Sequence, residues 1–231
     1  MKDIILIAKK DSKYKRCYQM SETETRLSTG TTTLGIKCKD CIVLAADKRA
    51  TAGYMVVDRR TKKVHKLNDD FALTIAGSVS DAQLLIKVIR AELALKEVQT
   101  NRRATSKEAA NMLAGLLYNL LRTPSMAPGI AHFLLAGRNK ELSLYDLYPD
   151  GSVTDIEDFV SSGSGSVYAL GVLESAYKPN MTEKEGISLA KLAINSSLKR
   201  DIATGNGIDI SVIDLNGIKH AETLDINTGL Y

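Results

Sequence analysis

Apolar residues change their spacing along this chain in a fixed order, and that order limits the folds open to it. Strand-like segments occupy residues 31–76, helical segments follow at 81–98 and 105–121, strands return at 130–148, helices span 167–177 and 182–203, and strands finish at 208–223. The helices are amphipathic, so each must bury an apolar face. Two antiparallel sheets packed face to face, with a helix pair on each outer side, satisfy all four helices. The order therefore predicts an α+β fold, a four-layer αββα sandwich in one domain.

Local signals mark where several of these elements begin. Thr105 with Glu108, and Thr182 with Glu185, have the spacing of capping boxes at helix starts. Ser78, three residues before Asp81, is a capping-type start for the first helix. Residues 50–57 are predicted as a single strand, and residues 161–166 as a flexible hinge that precedes the third helix.

Composition and charge exclude several classes of function. The formal charge of the 231-residue chain is +4, and residues 1–30 hold seven Lys or Arg against four acids, which leaves the remainder nearly neutral. That balance, with no Trp and three Phe, gives no case for nucleic acid. The longest apolar run of the leader, residues 4–8, falls far short of the ~18–20 residues that a membrane span needs. We expect a cytoplasmic protein that acts on neither membrane nor nucleic acid.

The three cysteines give no case for a metal or redox centre. Cys38 and Cys41 flank a two-residue hairpin loop, and a zinc or thioredoxin-like site would need a second pair or a helix at this point. We predict two facing thiols, no metal and no cofactor.

The Gly30–Thr31 bond is the most informative point for chemistry. A charged leader ends at Gly30, and cleavage after it would leave Thr31 with a hydroxyl nucleophile and a free α-amine able to act as its base. By itself, the string Gly-Thr-Thr-Thr is more typical of a Thr-rich strand after a flexible glycine. The three histidines are scattered in strand-like contexts and the chain has no Gly-x-Ser-x-Gly elbow or Walker loop, so a hydrolase here would need an amine as its base.

Six strings in a fixed order carry a resemblance to a known family. They are GTTTLGI at 30–36, LAADKRAT at 44–51, TIAG at 74–77 with DAQ at 81–83, GSGS at 163–166, GVLE at 171–174 and KRD at 199–201. From Thr31 to the last strand, the chain resembles the β subunits of the archaeal proteasome core particle. The resemblance implies the N-terminal-nucleophile hydrolase fold, which is the αββα sandwich, and a threonine endopeptidase that degrades unfolded proteins.

The resemblance also implies roles for individual residues. The catalytic set is Thr31 as nucleophile, Asp47 and Lys63 as its acid and lysine, and Ser164, Asp201 and Thr204 near the threonine amine. The family usually has serine where Thr204 stands. The N–H of Gly77 would serve the oxyanion. Ala50, Ile75 and Val79 would line the pocket for the residue before the cut, and Thr51, Gly77 and Val79 would pair with the substrate backbone.

Maturation and assembly are implied in the same way. Residues 1–30 would be a propeptide removed by autocatalytic cleavage at Gly30–Thr31, and residues 31–231 the catalytic domain. The subunit would form seven-membered β rings, stack against α-subunit rings and receive unfolded protein from a hexameric ATPase ring. Small and branched side chains in the pocket predict cleavage after hydrophobic residues.

Three questions stay open on the sequence. The leader is longer than the usual archaeal propeptide, so the chain could be an unprocessed, catalytically silent β subunit of a mixed ring. A different N-terminal-nucleophile hydrolase acting on a small amide is a weaker alternative. Translation from Met20 instead of Met1 would leave an eleven-residue leader.

Overall fold

The computed structural model describes residues 30–125 and 129–226. The predicted leader, apart from Gly30, lies outside these residues. The elements are β1 (Thr33–Lys37), β2 (Cys41–Asp47), β3 (Ala50–Ala52), β4 (Met55–Asp58), β5 (Val64–Lys66), β6 (Phe71–Gly77), α1 (Val79–Thr100), α2 (Ser106–Arg122), β7 (Ala131–Arg138), β8 (Leu142–Leu147), β9 (Val153–Ile156), β10 (Phe159–Ser162), α3 (Ser166–Ala176), α4 (Glu183–Arg200), β11 (Gly207–Asp214) and β12 (Gly217–Asp225).

Two five-stranded antiparallel sheets form the centre of the molecule. The first has the order β10-β1-β2-β11-β12 and the second the order β5-β6-β7-β8-β9, while β3 and β4 pair as a separate hairpin. Helices α1 and α2 pack on the outer face of the second sheet, and α3 and α4 on the outer face of the first. The predicted αββα sandwich is confirmed.

The three layers of apolar contact follow from the alternation of residues along the strands. In β2, Val43 and Ala45 face α3 and α4, whereas Ile42 and Leu44 face the second sheet. Strand β2 is buried on both faces, and this explains its uninterrupted apolar run.

The capping predictions have different outcomes. Thr105 and Thr182 each accept a hydrogen bond from the backbone three residues later, and Glu108 and Glu185 return it, so both capping boxes are confirmed. Ser78 is the N-cap of α1, but its side chain caps no backbone N–H and contacts the Ser80 hydroxyl at 3.1 Å instead. None of the helices in the described ranges is long and apolar enough to cross a membrane.

Three local predictions were wrong. Residues 50–57 are two short strands, because Gly53 takes a left-handed backbone (φ 59°) that turns the chain. Strands β9 and β10 were not predicted, and β10 includes the first two residues of the predicted hinge. Each is a four-residue strand at a sheet edge with polar residues among its apolar ones, so hydrophobic periodicity does not reveal it. Helix α4 ends at Arg200 rather than near Ala203.

Candidate active site

Thr31, Asp47 and Lys63 lie at or next to strand ends that meet at one edge of the sandwich, Ser164 follows β10, and Asp201 and Thr204 follow α4. Thr31 precedes β1, and Asp47 is the last residue of β2. Register places Thr33 beside both Ala46 and Ser162, so the end of β10 that leads to Ser164 lies at the same edge. Lys63 immediately precedes β5 and approaches from the second sheet.

A buried ion pair joins the two sheets at this edge. Lys63 Nζ lies 2.7 Å from Asp47 Oδ1, and both side chains are almost fully buried. Asp47 also accepts backbone hydrogen bonds from Thr32 (3.0 Å), Arg49 (3.0 Å) and Gly205 (2.9 Å). Both carboxylate oxygens are therefore used, and the side chain is held in one orientation.

Burial changes the ionisation of the lysine. Burial lowers the pKa of the Lys63 ammonium, and the neighbouring Asp47 carboxylate opposes that shift by charge and by hydrogen bonding. A larger fraction of Lys63 is therefore neutral at a given pH than for an exposed lysine. The same Nζ donates a longer hydrogen bond, 3.4 Å, to the carbonyl oxygen of Gly30.

The Gly30–Thr31 peptide bond lies next to that lysine. The Thr31 hydroxyl donates to the Gly30 carbonyl oxygen at 2.6 Å, and the Gly30 N–H donates to Thr51 Oγ1 at 3.1 Å. A Cβ added at Gly30 would overlap the side chain of Ala203. Only glycine fits this position in the uncleaved chain.

A second carboxylate organises the other side of Thr31. The Thr31 N–H donates to Ser164 Oγ at 3.2 Å, and Ser164 Oγ donates to Asp201 Oδ2 at 2.6 Å. Thr204 Oγ1 donates to the same carboxylate oxygen at 2.5 Å and lies 2.7 Å from Thr32 Oγ1. Thr204, at the position where the resemblance led us to expect a serine, therefore places a hydroxyl between Asp201 and Thr32.

Glycines allow the chain segments to approach this closely. Gly163 has a left-handed backbone (φ 95°), and a Cβ there would overlap the Thr31 carbonyl. A Cβ at Gly165 would overlap the Thr32 hydroxyl. The GSGS string, which the sequence predicted as part of a flexible hinge, thus lies packed against Thr31 and Thr32 in the candidate site.

The remaining predicted residues are less closely joined to Thr31. Ile75 N–H donates to the Lys63 carbonyl at 2.9 Å, and Ala50 and Ile75 are buried. Gly77 ends β6 with φ 102°, and Val79 begins α1. In the described chain, the Gly30 carbonyl receives its hydrogen bonds from Thr31 and Lys63, and the Gly77 N–H donates none to it. The substrate-binding and oxyanion roles therefore stay predictions for the whole set: Ala50, Thr51, Ile75, Gly77 and Val79.

Two supporting residues were missed by sequence reasoning. Arg49 Nη1 donates to the Ile202 carbonyl at 2.8 Å and Nε to Asn206 at 2.9 Å, so it holds the segment that carries Thr204. Ser197 Oγ donates to the Gly165 carbonyl at 2.8 Å. Arg49 lies inside the LAADKRAT string and could have been found there, whereas Ser197 carries no such signal.

The chemistry of the site rests on hydroxyl, amine and carboxylate groups. Within residues 30–125 and 129–226, no three His, Cys, Asp or Glu side chains are grouped to hold a metal ion. Cys38 and Cys41 are free, buried thiols at the far end of β1 and β2. Their mutual hydrogen bond raises the pKa of Cys38 and lowers that of Cys41.

Comparison with known proteins gives one consistent result. Residues 27–213 match the family described as "Proteasome subunit". The chain is 43% identical to "Proteasome subunit beta 2" of Hyperthermus butylicus over 190 residues, 82% of this chain and 87% of that protein. It is 42% identical to "Proteasome subunit beta 2" of Ignicoccus hospitalis, covering 86% and 92% of the two chains. It is 39% identical to "Proteasome subunit beta" of Methanocaldococcus jannaschii, covering 85% and 87%.

Proposed function

The chain belongs to the proteasome subunit family, and from this premise we propose that it is a threonine endopeptidase subunit of the core particle whose nucleophile is Thr31. The relatives at about 40% identity are β subunits, and the family assembles into core rings with other subunits. One observation supports the proposal above the others: the Thr31 hydroxyl and the Lys63 amine both contact the carbonyl oxygen of Gly30.

Maturation would begin with that contact. The Thr31 hydroxyl oxygen attacks the Gly30 carbonyl carbon and loses its proton to a base. In the uncleaved chain the nitrogen of Thr31 is an amide and has no basicity, so neutral Lys63, with its lowered pKa, is the available amine. The carbon–nitrogen bond then breaks and the nitrogen takes up a proton, which leaves an ester on Thr31 and a free amine. Water hydrolyses the ester, releases residues 1–30 and restores the hydroxyl.

Substrate cleavage would use the amine that maturation creates. An α-amine has an unperturbed pKa of ~7.7–8.0, so near neutral pH it can accept the Thr31 hydroxyl proton. Ser164, which already contacts the Thr31 nitrogen, would orient the amine with Asp201 and Thr204 behind it. The hydroxyl attacks the substrate carbonyl, an acyl-enzyme forms, the amine returns its proton to the leaving group, and water then releases the second product.

Specificity and context belong to the same proposal. Ala50, Ile75 and Val79 would accept hydrophobic residues before the cut. Thr51, Gly77 and Val79 would pair with the substrate as an added strand, and the Gly77 N–H would bind the oxyanion. Residues 31–231 would work in a seven-membered β ring between α-subunit rings, fed by a hexameric ATPase ring in the cytoplasm.

Replacement of the nucleophile tests the proposal. Thr31→Ala, produced together with α subunits, should assemble but keep residues 1–30 and hydrolyse no peptide, since the variant lacks the attacking oxygen. Thr33→Ser is the matched control, because it changes a neighbouring buried threonine and should mature normally. Intact mass and peptide hydrolysis of the purified particles give the result. Normal turnover by the Thr31→Ala particle would refute the assignment.

A silent structural β subunit is the second candidate. Two relatives bear the numbered name "Proteasome subunit beta 2", which supports a ring built from more than one kind of β subunit. N-terminal sequencing of the assembled wild-type particle separates the candidates. A chain that starts at Thr31 favours the enzyme, and an intact leader favours the scaffold.

A further inference from the structure

A buried Ser–His–Asp chain lies beside the candidate active site and takes no part in the mechanism above. His132 Nε2 lies 2.5 Å from Asp146 Oδ1, and Ser162 Oγ lies 2.7 Å from His132 Nδ1. Ser162 and Asp146 are almost fully buried, and the His132 side chain is 19% exposed. All three groups are satisfied when Nε2–H donates to the carboxylate and Nδ1 accepts from the Ser162 hydroxyl. The Tyr148 ring covers His132 with ring centroids 4.9 Å apart.

The three hydrogen-bonded side chains cross the space between the two sheets. His132 and Asp146 belong to β7 and β8 of the second sheet, whereas Ser162 ends β10 of the first. Apolar side chains, including Val160 and Leu144, pack around these three side chains. The Ser162–His132 hydrogen bond is a directional contact between the sheets, as the Lys63–Asp47 ion pair is, whereas the apolar contacts around it have no preferred direction.

The Ser162–His132 hydrogen bond lies close along the chain to Ser164 and, through strand pairing, close to Gly77. Ser162 is two residues before Ser164, which contacts the Thr31 nitrogen. His132 pairs in the sheet with Ala76, the residue before Gly77. This hydrogen bond thus connects β10, which leads to Ser164, with β7, which pairs with the strand that ends at Gly77.

Strand β10 meets the second sheet through the apolar packing of Val160 and the hydrogen bond of Ser162. It is four residues long, lies at the edge of its sheet and, among the residues that the structure describes, pairs with β1 alone. The neighbouring Ser161 hydroxyl donates to the Thr33 carbonyl at 2.8 Å, which ties β10 to β1 within the same sheet. Of the two serine hydrogen bonds, the one from Ser162 opposes a shift of β10 relative to the second sheet, and the one from Ser161 does not.

We propose that Ser162, His132 and Asp146 are positioning residues that hold the nucleophile-bearing sheet in register with the sheet carrying the oxyanion donor. The proposal rests on the proposed function for its catalytic consequence, but its structural part does not depend on activity. Asp146 fixes the imidazole, the imidazole fixes Ser162, and Ser162 fixes the start of the Gly163–Ser164 turn. The three groups do not touch the reacting atoms.

The test compares two adjacent serines in the assembled particle. Ser162→Ala removes the contact between sheets, whereas Ser161→Ala removes a contact of similar length within one sheet. Because a misplacement of about 1 Å can cost up to about 100-fold in rate, we expect Ser162→Ala to lower kcat about tenfold with little change in KM. Ser161→Ala should keep kcat within about twofold, and Ser162→Thr, which retains the hydroxyl, should restore most of the rate.

A variant of His132 shows whether the loss of activity comes from this chain of contacts or from a general folding defect. His132→Gln keeps a polar side chain, and adding it to Ser162→Ala should cost little more than either change alone, since both break the same chain of contacts. Equal losses of kcat in Ser161→Ala and Ser162→Ala, no loss in Ser162→Ala, or no rescue by Ser162→Thr would overturn the proposal.

Amide hydrogen exchange decides the matter even if the wild-type particle hydrolyses nothing. Ser162→Ala should speed exchange in peptides covering residues 163–165 and 77–79 relative to Ser161→Ala. Equal exchange in the two variants would refute the positioning role. A wild-type particle without activity would instead refute the proposed function and leave the exchange result to stand alone.

Discussion

Two carboxylates flank Thr31, and their surroundings differ. Asp47 is fully buried, pairs with a lysine and accepts three backbone N–H groups. Asp201 lies at the end of α4 and is held by two hydroxyls, from Ser164 and Thr204, with a longer backbone contact at 3.3 Å. The first environment sets the ionisation of an amine, and the second orients the backbone nitrogen of Thr31. We infer that proton transfer during maturation depends on the Asp47 side, and that the orientation of the Thr31 nitrogen depends on the Asp201 side.

The largest effect is expected on the Asp47 side. Lys63→Arg keeps a cation beside Asp47 but cannot release its proton near neutral pH, so the precursor should stay uncleaved and inactive. Lys63→Met should be equally inactive and also less stable by about 3–5 kcal/mol, because it leaves a buried carboxylate unpaired. Intact mass and thermal unfolding of both variants give the comparison. Normal maturation of Lys63→Arg would show that Lys63 is not the base that takes the Thr31 proton.

Gly30→Ala tests the Asp201 side, because Gly30 contacts Ala203, which lies two residues after Asp201. The added methyl group overlaps the Ala203 side chain, so the uncleaved geometry is lost and maturation should slow by about 100-fold. Gly30→Ala combined with Ala203→Gly removes part of the overlap and should recover part of the rate. Time courses of precursor mass after mixing with α subunits measure this. Normal cleavage of Gly30→Ala would show that the observed contact is not the reacting one.

Thr204 should give a smaller effect. Thr204→Val keeps the shape but loses hydrogen bonds to Asp201 and Thr32, each worth about 0.5–1.5 kcal/mol, and we expect kcat to fall about tenfold. Thr204→Ser retains the hydroxyl and should stay close to wild type. Steady-state kinetics of matured particles measure both. Equal activity of the valine and serine variants would mean that orientation does not depend on this hydroxyl.

The smallest effect concerns pH and stability. The pKa of Lys63 is lower in the folded chain than in the unfolded one, where it is ~10.4, so the unfolded state binds more protons between the two values. Below the folded-state pKa, the buried Lys63 ammonium lowers the free energy of unfolding by its full amount. This loss of stability disappears as the pH rises from the folded-state pKa to the unfolded-state pKa. In a Thr31→Ala background, the unfolding temperature should therefore rise with pH relative to the same protein carrying Lys63→Met. If the unfolding temperatures of the two proteins changed with pH in parallel, the lowered pKa of Lys63 would be contradicted.

The sequence predicted the fold better than it predicted the contacts. Periodicity yielded the four layers, because long buried strands and amphipathic helices repeat their pattern many times. It missed β9 and β10, since four residues at a sheet edge carry too little pattern. The GSGS string looked flexible because its glycines favour turns, yet here they make room for Thr31 and Thr32.

The candidate site was predictable as a set of residues and not as a geometry. The strings around Thr31 and Asp47 pointed to them, but no local pattern indicates that Gly30 meets Ala203, far along the chain. His132 was grouped with scattered strand histidines, because its partners Asp146 and Ser162 come from other strands and only the packing of two sheets brings them together.

The most direct measurement follows the mass of the chain and its activity in the same sample. The precursor is mixed with α subunits, and intact mass and peptide hydrolysis are recorded over time. We predict that activity rises in proportion to the chains that have lost residues 1–30 and begin at Thr31. Full activity while the leader is still attached would contradict the account.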